Sequence, residues 1–181
     1  MKAVWCIMLA ALAGLLLTAC WPAEEVPICG GVTDRTDHSA PKAIQSKEIA
    51  GFSASFWITD EDASRSGRWD LHAFKDSSGC LFIRIEGTLK GQEQADASFL
   101  AALQETIDRF ELAKFNGIDR VIAGLPPQFS PTRLNVDYSS GERLHFQMNG
   151  DPGAEWPRAL LELFLESARH WVGSSCLSMQ S

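Results

Sequence analysis

WDLHAFKDSSGCLFIRIEGT, residues 69–88, is the stretch from which the fold can be read. Trp69 to Lys75 alternates apolar and polar residues, Asp76-Ser77-Ser78-Gly79 breaks the pattern, and Cys80 to Thr88 resumes it. Alternation with a period of two marks a half-buried strand, and a short polar segment ending in glycine marks a hairpin turn. A type I turn over Asp76 to Gly79, with Gly79 in the left-handed bulge position, sets Asp76 opposite Cys80. Counting outward pairs Leu71 with Ile85 and Ala73 with Ile83, which makes one face apolar. The other face then pairs Phe74 with Phe82, His72 with Arg84 and Asp70 with Glu86.

Before the hairpin, Phe52, Ala54, Phe56 and Ile58 alternate with Ser53, Ser55, Trp57 and Thr59, which predicts a strand beginning at Ile49. The loop Asp60 to Arg68 places Asp60, Asp62 and Ser64 at the spacing of a calcium loop's first ligands. It lacks the later glycine and glutamate of such a loop, and therefore reads as a solvated connection. Behind the hairpin, Phe99, Leu103, Ile107 and Phe110 form an apolar stripe that predicts a helix from Ala97 to Lys114, ended by Asn116-Gly117. Strand, turn and strand then recur over Thr132 to Asn149, turning on Ser139-Ser140-Gly141, so that Asp137 meets Arg143 and Asn135 meets His145. A last helix opens at Pro157, a tolerated first position, and runs to Val172. The expected fold is α+β: a two-layer arrangement, an antiparallel sheet of about five to six strands with two helices on one face, in the order β-ββα-ββα. The two ββα units hint at an internal duplication.

The mature chain has no G-x-S-x-G elbow, phosphate loop, H-E-x-x-H or dinucleotide fingerprint, so neither a familiar enzyme nor a cofactor is expected. On the outer sheet face, His72 shares a strand with Asp70 and faces Arg84 and Glu86 across the hairpin. Those groups could do acid–base work in a hydrolase, with His72 as base and Asp70 or Glu86 orienting it, or they could form the wet face of an antiparallel sheet. Trp57, Phe74 and Phe82 point the same way, and exposed aromatics beside Arg84 have the make-up of a binding patch. A second cover over them, from the preceding arm or a loop, is the competing arrangement. His145 and His170 suggest no chemistry of their own, and His170 is placed to meet the negative end of its helix.

The N-terminus supplies an address. Lys2 is followed by an uncharged apolar run from Ala3 to Leu17, the length of a signal peptide's apolar region and short of a membrane span. Leu17-Thr18-Ala19-Cys20 resembles the lipobox of bacterial lipoproteins. The resemblance implies cleavage before Cys20, a diacylglycerol on its thiol, and anchoring outside the cytoplasm on the plasma or outer membrane, with further acylation for stable attachment. The corresponding division is residues 1–19 signal peptide, 20–48 lipidated N-terminus and tether, 49–173 globular domain and 174–181 tail. Residues 21–48 read as a tether because they hold Pro22, Pro27, Gly30, Gly31 and Pro41 with little apolar periodicity, although an arm packed on the domain has the same composition. From Leu134 to Phe164 the chain also resembles uncharacterised lipoproteins of gut and low-GC Gram-positive bacteria. The shared features are Tyr138, the Gly141-Glu142 turn, the alternation through Phe146, then Gly150, Pro152 and Trp156. That resemblance implies a common α+β domain and carries no activity.

The formal net charge is −7, and one unit more negative once Lys2 leaves with the signal. A chain this acidic, without a basic stretch, is a poor partner for nucleic acid. The expected partners are a membrane, through lipidated Cys20, and an envelope protein or glycan. Cys29, Cys80 and Cys176 show no paired C-x-x-C spacing for zinc, and three cysteines leave one over if a disulfide forms. A Cys29–Cys176 bridge, tying the two ends of the chain, is the pairing expected.

Overall fold

In the computed structural model, which describes residues 30–151 and 153–168, the hairpin at residues 67–86 has the register that its turn dictates. Asp70 faces Glu86, His72 faces Arg84 and Phe74 faces Phe82. Gly79 donates its N–H to the Asp76 carbonyl at 3.0 Å and has φ +84°, the left-handed conformation that glycine adopts without strain. The strands are β1 (Val32–Asp34), β2 (Ile49–Ile58), β3 (Gly67–Lys75), β4 (Leu81–Glu86), β5 (Lys90–Gln94), β6 (Asp119–Ile122), β7 (Pro131–Tyr138) and β8 (Arg143–Asn149). Two α-helices lie among the described residues, α1 (Ala97–Arg109) and α2 (Trp156–Ser167).

The strands form one sheet in the order β1-β6-β8-β7-β2-β3-β4-β5. This corrects the expected sheet of about five to six antiparallel strands in a two-layer α+β fold: among the described residues there are eight, the sheet is mixed, and strand outweighs helix. The three additions lack the signal that reveals a strand. β5 reads Lys-Gly-Gln-Glu-Gln, with no large apolar residue, and β1 and β6 are three and four residues long. They join by backbone pairing at the sides of a sheet whose centre is already covered. β6 reaches β7 by passing β8, so β6 and β8 both run opposite to β7 and pair in parallel, Asp119 with Gln147 and Arg120 with Met148.

One face of the sheet holds the core. Phe52, Phe56, Leu71, Ile83, Ile85, Leu134, Leu144 and Phe146 are buried there beneath Phe99, Leu103, Ile107, Leu160 and Phe164 of the helices. Aromatic edges tie the helices to each other, Phe99 meeting Phe164 at 5.0 Å, and to the sheet, Trp156 meeting both Phe56 and Phe146 at 5.8 Å. Trp69 is fully buried, and a Cβ at Gly87 would lie 2.6 Å from its ring, so only glycine fits after β4.

Helix α1 stops at Arg109, short of the expected Lys114. Glu111 takes a left-handed conformation, φ 50°, and a 3-10 turn over Leu112–Phe115 swings Leu112 fully into the core. Continued as a helix, the stripe Phe99-Leu103-Ile107-Phe110 would have presented Lys114 in that place.

Of the two readings of residues 21–48, a tether or an arm packed on the domain, the described part takes the second. β1 pairs with β6, Val32 opposite Ile122, and Ile44 is buried. Asn116, itself buried, donates to the carbonyls of Pro41 and Arg143 at 2.9 and 3.1 Å and accepts the His145 N–H at 2.8 Å. Residues 30–48 are therefore part of the domain, held by backbone pairing and buried polar bonds that apolar periodicity does not register. The signal, Cys20, Trp21, Cys29, His170, Cys176 and the 174–181 tail lie outside the described residues.

Candidate binding surface

The face of the sheet turned away from the helices is built in rows, because directly paired residues in neighbouring strands project to the same side. The first row, from β5 to β8, reads Gln94, Phe82, Phe74, Gly51, Asp137, Arg143. The second reads Gln92, Arg84, His72, Ser53, Asn135, His145, and the third Lys90, Glu86, Asp70, Ser55, Arg133, Gln147. Trp57, opposite Arg68, stands at the end of the face.

Phe74, Phe82 and Arg84 are neighbours on this face, whereas Trp57 lies on the same face six residues along β2 from Gly51, the position opposite Phe74. Phe74 and Phe82 stack with ring centres 6.2 Å apart, and the Arg84 guanidinium lies 5.3 Å from the Phe74 ring. A cation over an aromatic face is attracted by the ring's quadrupole. Gln92 holds Arg84 there by accepting from its Nε at 3.1 Å and from a terminal nitrogen at 2.9 Å. Towards the other side, Asn135 donates to Ser53 at 3.1 Å and bonds the His145 ring. Arg133 is forked onto Gln147 at 3.1 and 2.9 Å, and Arg143 donates to Asp137 at 2.8 Å. These pairs fix planar donors and acceptors without burying them.

The described residues of the arm do not cover this face. Ile44 lies with Gln104 and Ile107 of α1, and Lys47 Nζ donates to Asp108 Oδ1 at 2.8 Å, so residues 42–47 pack on the helical layer. The three aromatics are half-exposed and Arg84 is exposed. Gln92 is absent from the residues that sequence reasoning brings to this surface, because β5 does not read as a strand. Its one signal is position, a short polar run directly after a strand that needs a neighbour.

His72, Asp70 and Glu86 are adjacent on this face. The direct partner of His72 across the hairpin is Arg84, and among the described residues no hydrogen bond or ion pair joins His72 to either carboxylate. Asp70 instead lies 3.7 Å from Arg68. Two recesses open on the helical layer. One of about 740 Å³ lies between Phe110 and Arg158, and one of about 400 Å³ between Lys47 and Tyr138. Asp60 and Asp62 spend carboxylate oxygens on the N–H groups of Asp62 and Ser64, as loop residues do. Cys80 is a free thiol, half-buried beside the turn. No helix among the described residues is long and apolar enough to cross a membrane. No protein-family model, curated protein or solved structure matches the chain.

Proposed function

We propose that this protein is a lipid-anchored lipoprotein of the bacterial cell envelope that acts as a recognition module, with the open sheet face as its binding surface. The observation that carries the reading is the half-exposed stacked pair Phe74 and Phe82 with Arg84 over it, on a face that carries Trp57 at its far end and rows of Asn, Gln, His and Ser side chains. Flat aromatics present large contact area at low entropic cost, and amides and hydroxyls add directional bonds, the composition used against a protein surface or a glycan. The lipobox sequence supports the location, since Cys20 would carry the anchor.

The test is recovery of partners from detergent-solubilised envelopes and from isolated cell-wall glycan, using the native protein and a Trp57→Ala, Phe82→Ala double variant. Both substitutions fall on half-exposed positions, so the fold persists. Retention on a specific protein or glycan should drop at least tenfold in the variant. Unchanged retention of every partner removes the open face as the recognition surface.

A further inference from the structure

The large apolar side chains left exposed among the described residues are Val32, Ile122 and Leu125, at 58, 39 and 42 %. They all lie at the β1–β6 edge. Val32 and Ile122 are direct cross-strand partners, and Leu125 follows β6 just past the Gly124 turn. The face that Val32 and Ile122 occupy follows from register. Asp119 pairs with Gln147 on the open side, so Arg120, Ile122 and Val32 project to the helical side. They continue the apolar face beyond the reach of α1 and α2, which cover the central strands.

The charges at this edge are balanced. Arg35 lies 3.1 Å from Asp119 and Arg120 lies 3.7 Å from Asp34, with both arginines more than 60 % exposed. In a chain of net charge −7, an anionic leaflet repels the molecule as a whole but finds no excess negative charge here. Arginine stems can lie along apolar surface while their guanidinium groups stay at phosphate depth.

Position in the chain names the occupant. Residues 21–31 separate Cys20 from Val32, so β1 is the first described element after the anchor site. Eleven residues can reach at most about 40 Å. A patch held that close to a bilayer experiences it at high effective concentration, so three partly exposed side chains suffice where they would not recruit a free protein.

We propose that the β1–β6 edge is a membrane-contact surface. Tethered through Cys20, the domain stands edge-on, with Val32, Ile122 and Leu125 at the boundary between headgroups and acyl chains. This rests on the lipidation proposed above. The test uses full-length lipidated protein in phosphatidylcholine–phosphatidylglycerol vesicles containing nitroxide-labelled lipid, with an environment-sensitive fluorescent amino acid placed at Ala123 or, on the opposite edge, at Lys90. Quenching at position 123 should exceed that at 90 at least threefold, and should fall to the level at 90 after Val32→Asp with Ile122→Asp. Equal quenching at both positions in the otherwise native protein overturns the inference, whether or not the double variant folds. Mass spectrometry of the N-terminal peptide from the same sample separates the two claims. An unmodified Cys20 removes the anchor itself, whereas a lipidated Cys20 with equal quenching removes only the edge contact.

Discussion

Glu142 joins segments 97 residues apart in the chain. Its carboxylate accepts the N–H groups of Gln45 and Ser46, each at 2.9 Å, and the Ser140 hydroxyl at 2.9 Å. The Gln45 N–H, then the Ser46 N–H and the Ser140 hydroxyl, hold the carboxyl below its ordinary range. A carboxyl whose folded pKa is depressed contributes its stabilisation fully above the unfolded value, and that contribution is lost as pH falls through the folded one. Glu142→Gln should therefore flatten the acid limb of stability below about pH 4.5. Urea midpoints measured from pH 6 to pH 3 check this, and parallel curves for variant and native protein would refute the role. Tyr138 has the opposite sign. Burial pushes its phenol up to about 12, against Gln104, which lies close enough to favour the ionised form without reaching hydrogen-bond geometry. The neutral phenol is the folded form, so stability is intact below about pH 10 and is lost as pH rises through the folded value. Because the hydroxyl is buried without a partner, Tyr138→Phe should leave stability at pH 7 unchanged or raised by up to about 1 kcal/mol. The variant should also retain more of that stability above pH 10, read from alkaline unfolding followed by circular dichroism.

The hairpins are legible in the sequence because turn chemistry and alternation point to the same register. Asp76 accepts from the Ser78 hydroxyl and the N–H groups of Ser78 and Cys80, and Gly79 supplies the positive φ. No atom lies within 4 Å of a Cβ at Gly79, so Gly79→Ala isolates the conformational cost. It should lower stability by about 1 kcal/mol, measured by chemical denaturation, whereas Gly87→Ala should lower it more because the new methyl meets the buried Trp69 ring. A neutral Gly79→Ala would mean that the turn does not set the register. The same logic explains what the sequence hides. β5 has no apolar alternation to read, and the chain's reversal at Glu111 has no glycine to announce it. The aromatic face follows directly from pairing Phe74 with Phe82, since register by itself assigns each residue to a face. Gln92, which steadies Arg84, depends on a strand that only backbone pairing reveals.

At the scale of the whole molecule, the described residues give the sheet one side packed under helices, one side without such a layer, and an edge beside its proposed anchor. Strands are spaced about 4.8 Å apart, so β3 and β4, five and six steps from β1, would hold Phe74 and Phe82 about 24 to 29 Å above an edge resting on a membrane. A bilayer contact through the edge leaves the open face free to meet a partner, whereas contact through the open face would bury the Asn, Gln and Arg rows against lipid. This arrangement requires the arm to be structural, because β1 is the edge and Ile44, Pro41 and Lys47 fasten the arm to the helical layer and to Asn116. A chain begun at Ile49, the boundary that periodicity suggests, loses the Ile44 burial, one of the Asn116 bonds, the Gln45 and Ser46 donors of Glu142, and the strand that protects β6. Against a chain begun at Gly30 it should be less stable by about 4 kcal/mol, from lost apolar burial and stranded buried polar groups. It should also self-associate, because β6 becomes an unpaired edge carrying Ile122. Urea midpoints and sedimentation of the two chains test both consequences. Equal midpoints with both chains monomeric would show that residues 30–48 merely rest on the domain, and the edge-on geometry would lose its footing.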